Sequence, residues 1–101
     1  MQLPSTIKVG KRSYTVKQPL AMRGAAQRGL IEYSKTTISV AQYCNVTNRK
    51  YPPKERGEIF WHELTHAILA DMNSPLYDNE EFVEAFSKRL NDAIHSARFD
   101  A

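Results

Sequence analysis

The sequence predicts an α+β domain in which antiparallel hairpins come first and two helices follow. Three observations carry that expectation. Apolar and polar residues alternate between Ile7 and Val40, the period of strands with one buried face. After Pro53 the chain is rich in helix formers whose apolar residues recur at three- and four-residue spacing. No internal repeat or low-complexity stretch divides the 101 residues, so a single domain over 1–101 is expected.

The first hairpin is read from Ile7 and Val9, then Tyr14 and Val16, around the Gly10-Lys11-Arg12 turn. Residues 19–29 read as a short helix ended by Gly29 or as a loop, because internal glycines weaken a helix. A second hairpin pairs Ile31 and Tyr33 with Ile38 and Val40 across Ser34-Lys35-Thr36-Thr37. Asn45 through Pro53 is a polar loop closed by Pro52-Pro53, which places the start of the first helix after Pro53, near Lys54. That helix runs to about Met72, with Ile59, His62, His66 and Leu69 along one stripe, and Asn73-Ser74-Pro75 ends it. Asp78 or Asn79 caps a second helix from about Glu80 to Arg98. Its apolar face, Phe82, Phe86, Leu90, Ala93, Ile94 and Ala97, is expected to pack on the first helix.

Composition bounds the function. Hydrophobic residues make 42% and charged residues 25%, which excludes a disordered or fibrous chain. The single cysteine, Cys44, excludes an internal disulfide and fits a small side chain beside a strand in a reducing compartment. Neither a signal peptide nor a membrane-length apolar run is visible, so a cytoplasmic location is expected. The net charge of +3 divides unevenly, +8 over residues 1–50 and −5 over 51–101. A solvated basic sheet face explains this more simply than nucleic acid, for which no motif is present.

His62-Glu63-Leu64-Thr65-His66 carries the chemistry. On a helix, residues i and i+4 lie one above the other, so both imidazoles reach one ion from adjacent turns. Glu63 sits about 100° around the helix, within reach of a water polarised by that ion, as a general base. Zinc is the expected metal from ligand type, and an open catalytic site takes three protein ligands. The third is not fixed by this motif. The metzincin spacing is absent, since Leu69 and Met72 stand where that pattern needs Gly and His. Asp78 is one candidate from the connecting loop. With Phe82 at 0° and about 100° per residue, Glu80 falls at about 160°, Glu84 at about 200° and Glu81 at about 260°. Against an apolar face centred at about 60–80°, Glu80 lies nearest and Glu81 points outward.

Asn79-Glu80-Glu81-Phe82-Val83-Glu84 resembles the Asn-Glu-x-x-x-Asp/Glu segment of gluzincins, and with Phe86 and Leu90 it resembles ImmA/IrrE-like peptidases of phages and mobile elements. The resemblance implies a minimal zincin-like metallopeptidase. In it Glu80 is the third zinc ligand and Glu84 orients His62 or His66. It also implies a peptide substrate bound as an added strand, along Ile38-Ser39-Val40. For the oxyanion, Tyr77 and then Tyr51 are the candidates on the flanking loops. His95 reads as a surface residue, about 22 Å along the helix from Glu80. A contrasting expectation is a zincin-fold binding module, with a structural metal and the basic half gripping nucleic acid or an acidic protein. Glu63 argues for the enzyme.

Overall fold

In the computed structural model, which describes residues 2–99, four strands and two helices follow one another along the chain. The strands are β1 (Thr6–Val9), β2 (Arg12–Lys17), β3 (Gly29–Glu32) and β4 (Thr37–Val40). The helices are α1 (Pro53–Asp71) and α2 (Glu80–Ser96). β1 and β2 form an antiparallel hairpin, as do β3 and β4. The sheet they build is mixed, because β2 pairs with β4 in parallel to give the order β1-β2-β4-β3. The expectation of a purely antiparallel sheet is therefore corrected. Hairpin signals are local, whereas a parallel pairing between hairpins leaves no turn signature in the sequence.

The same order moves the open edge. β4, expected to receive an added strand, is hydrogen-bonded on both sides, and β3 is the edge. Residues 18–28 form no helix. They cross the end of the sheet, tied by Asn45, whose amide nitrogen donates to the carbonyls of Met22 (2.7 Å) and Gly24 (2.6 Å). The Asn45 side-chain oxygen accepts from Ala26 N–H at 3.0 Å. Gln42 and Tyr43 N–H groups donate to the Pro19 (3.0 Å) and Leu20 (2.8 Å) carbonyls, so the segment that feeds β3 is held without regular pairing of its own.

Alternation sends Val9, Tyr14, Val16, Ile38 and Val40 to the helix side, where they bury against Ile59, Phe60, Leu64 and Ala67 of α1. Phe60 is 1% exposed, and burying such a ring contributes about 1.5–3 kcal/mol. Exposed positions of the first hairpin, Lys8, Lys11, Arg12 and Lys17 among them, carry much of the N-terminal basic charge. Pro53 is the first residue of α1, one earlier than expected. A proline fits there because its missing N–H would have no helical partner. At the other end Asn73, with φ of 53°, takes the left-handed conformation that stops the helix, and Ser74 N–H donates to the Leu69 carbonyl at 2.9 Å.

α2 departs most from expectation. Its buried residues are Val83, Ser87 and Asn91, while Phe86 is 47% and Ile94 37% exposed. Asn91 donates to the carbonyl of Lys54 at 3.1 Å, tying the C-terminal half of α2 to the first turn of α1. The apolar stripe is not the face that meets α1. No helix among the described residues is long and apolar enough to cross a membrane.

Candidate metal centre

α1 places His62 and His66 one turn apart, with ring centroids 5.0 Å apart. The short Met72–Asn79 connection folds α2 back along α1, and Asn79 caps α2 by accepting from Phe82 N–H at 3.0 Å. Capping there leaves Glu80 as the first helical residue, facing the histidines. Its carboxylate lies 2.9 Å from His66 Nε2 and 3.1 Å from His62 Nε2. One atom from each of His62, His66 and Glu80 falls within 4.8 Å of the others, close enough to hold one metal ion. Donors bound tetrahedrally at about 2.0–2.1 Å would sit about 3.3 Å apart, so the contacts to Glu80 need only a small adjustment.

The other ring nitrogens are engaged as well. His66 Nδ1 donates to the carbonyl oxygen of Tyr77 at 2.6 Å, and His62 Nδ1 lies 3.1 Å from Glu84 Oε2. A carbonyl only accepts, so His66 carries a proton on Nδ1, and its Nε2 faces Glu80. His62 lies between two carboxylates with one proton to give if neutral. Both Nε2 atoms thus converge on the Glu80 carboxylate, a grouping close enough to hold one metal ion. The chemistry of the donor set fits a divalent metal, with Glu84 and the Tyr77 carbonyl orienting the two rings from behind.

Of the other candidates for third ligand, Glu81 is exposed and outside the cluster. Asp78 lines the cleft, and Glu84 faces the far nitrogen of His62. His95 is exposed. Tyr51 is buried at 2% exposure, and its hydroxyl donates to the Cys44 sulfur, so it belongs to the core and not to the site.

Glu63 is 9% exposed, between α1 and β3, and burial pushes its carboxyl above the usual range. The charges of His62 and His66 offset part of that rise, and Glu80 adds to it. β3 comes this close because residue 29 is glycine. A Cβ there would stand 2.6 Å from Ile59 Cγ2, 3.1 Å from the Ser39 carbonyl oxygen and 3.3 Å from Glu63 Cγ.

The cluster opens into a cleft of about 520 Å³, walled by residues 26–31, Ile59, Tyr33, Tyr77 and Asp78. A second cavity of about 370 Å³ shares Tyr33 and Tyr77 and reaches toward Arg12, Tyr14 and Asp71. Tyr33 is a site residue that sequence reasoning missed. Burial, first, and the neighbouring Tyr14, Glu63, Tyr77 and Glu80 push its phenol up to about 12, so it stays a hydrogen-bond donor across the neutral range. Parity was the available signal: Gly29 and Ile31 share one side of β3, and Tyr33, the first residue of the turn, is next in that alternation.

Compared with known proteins, the chain matches no family model, no curated sequence and no solved structure.

Proposed function

We propose that this protein is a zinc-dependent peptidase that hydrolyses peptide bonds, with Glu63 as general base. The observation that carries the reading is the convergence of two Nε2 atoms and the Glu80 carboxylate beside a buried Glu63, in a cleft bounded by an open strand edge. His62, His66 and Glu80 would hold the ion. Bound there, zinc would polarise the scissile carbonyl and acidify a water.

The remaining work belongs to the chain's own residues. Glu63 takes the proton of the attacking water and later gives it to the leaving amine, and its raised carboxyl pKa suits both directions of transfer. The phenol of Tyr33, with Tyr77 opposite it on the cleft wall, hydrogen-bonds the oxyanion that develops as water adds.

Substrate binds as an extended strand on β3. Ala41 N–H donates to the Arg28 carbonyl at 2.9 Å, so Arg28, Leu30 and Glu32 share the parity that faces β4. Gly29 and Ile31 therefore turn their N–H and C=O groups to the free edge, ready to pair with a peptide.

The test begins with metal content by mass spectrometry of the protein after reconstitution. Near-stoichiometric zinc is expected, lost in His66→Ala and Glu80→Ala and weakened in Glu84→Ala. Hydrolysis of a peptide library is then expected for the wild type and absent for Glu63→Gln. A protein that takes up no zinc would refute the proposal, as would equal cleavage by wild type and Glu63→Gln.

A further inference from the structure

The second cavity lies where a peptide paired with β3 would carry its side chains. β3 and α1 run in the same direction. Gly29 stands against Ile59 and Glu63, while Tyr33, just past the strand, stands with Ala67 and Ala70 around this cavity. Tyr33 and Tyr77 line both the metal cleft and the cavity, so the two adjoin through these side chains. From Glu63 to Ala70 α1 advances about 10 Å, the length of about three residues of extended peptide.

The walls state what fits. Val9, Tyr14 and Ala67 are buried, and with Ala70, Tyr33 and Tyr77 they give a lining that is mostly apolar and aromatic. Small side chains at 67 and 70 leave the space open, about 370 Å³, within the range of small-ligand sites. Arg12 and Asp71 also line it, both exposed and of opposite sign, so net charge selects neither a cation nor an anion. Rings of Tyr14, Tyr33 and Tyr77 offer edge and face partners to another ring.

We propose that this cavity takes an aromatic side chain of the substrate, from a residue on the N-terminal side of the bond that is cut. The proposal rests on the peptidase reading and names its substrate class. Antiparallel pairing is the stronger kind, and it runs a peptide from the Tyr33 end of β3 toward the Gly29 end. Residues that precede the scissile bond therefore pass Tyr33, and one within three of that bond reaches the cavity.

Cleavage of a peptide library by the zinc-reconstituted protein, with cut sites read by mass spectrometry, tests it. Phe, Tyr or Trp within three residues before the cut should raise kcat/KM about 10–100-fold over alanine there, the range for burying such a side chain. Ala70→Leu fills the cavity and should lower that ratio at least about tenfold, with zinc content and melting retained. Cutting without preference overturns the proposal and leaves the peptidase reading in place, as does a wild-type preference in Ala70→Leu. A preference confined to the C-terminal side of the cut also overturns it. Retention of library peptides by the Glu63→Gln protein reads the cavity without turnover. Aromatic peptides held by that protein, and lost when Ala70→Leu is added, would support the cavity even if the wild type cut nothing, which would refute the peptidase reading alone. Neither cutting nor retention would overturn both.

Discussion

Replacing Gly29 with alanine tests how closely the strand edge is held to the helix that carries Glu63. The added Cβ would stand 2.6 Å from Ile59 Cγ2, against about 3.5–4.0 Å for an ordinary carbon–carbon contact. β3 must therefore move outward by about 1 Å, or Ile59 must leave its rotamer. Overpacking of this kind costs about 1–3 kcal/mol, offset by about 0.4–1 kcal/mol from the stiffer unfolded chain. A net loss of about 1–2 kcal/mol would lower the melting temperature by roughly 5–15 °C in a domain of this size. The catalytic consequence is larger, because a reacting group misplaced by about 1 Å can lose about 100-fold in rate. Leucine at 59 has no Cγ2 branch, so Ile59→Leu in the Gly29→Ala background should recover much of the lost stability. Urea denaturation of the four proteins in this double-mutant cycle, with peptide hydrolysis by each, measures both effects. If Gly29→Ala melted at or above the wild-type temperature with unchanged turnover, the close approach would not constrain the site.

Three further outcomes are expected. Glu84→Gln should keep the fold and the site but weaken zinc about 10–100-fold, the usual effect of losing a carboxylate behind a histidine ligand, as read by competition with a chromogenic chelator. Tyr33→Phe should lower kcat about 100-fold or more with little change in KM; Tyr77→Phe should lose less, because it is the Tyr77 backbone carbonyl, retained in that variant, that holds His66. Hydrogen bonds from the Thr47 hydroxyl and from the Thr47 and Val46 N–H groups lower the Cys44 thiol to about 6. Alkylation of Cys44 should therefore rise through pH 6 and level off above it, and Thr47→Ala should move that midpoint upward.

The parts of this molecule that were legible in the sequence are those encoded by local chemistry. Asn79, one of the two expected caps, Asn73 as a stop and the two hairpins, whose turns fall within a residue of expectation, each depend on a few neighbouring residues. His62 and His66 were legible for the same reason, since one helix contains both. The edge strand was not. Whether β3 or β4 is free depends on β2, which pairs with β4 from across an irregular segment that Asn45 pins. Tyr51 was misjudged on proximity alone: it flanks α1 in sequence, yet its ring is buried with the core.

The phase of α2 runs against its hydrophobic pattern. Glu80, Val83, Glu84, Ser87 and Asn91 follow at i, i+3, i+4, i+7 and i+11, one line along the helix. Only that line can be turned to α1 if Glu80 is to meet both histidines and Glu84 is to reach His62. Val83, Ser87 and Asn91 are then carried inward whatever their polarity, and Asn91 meets the Lys54 carbonyl. Gly57, buried on α1, adds no side chain of its own to the crowded helix. The stripe of Phe82, Phe86 and Leu90 would bury more apolar surface if α2 rolled by a quarter turn, but the carboxylates would then leave the cleft. The helix is therefore turned so that its acids meet the histidines, and Phe86 and Ile94 are left exposed.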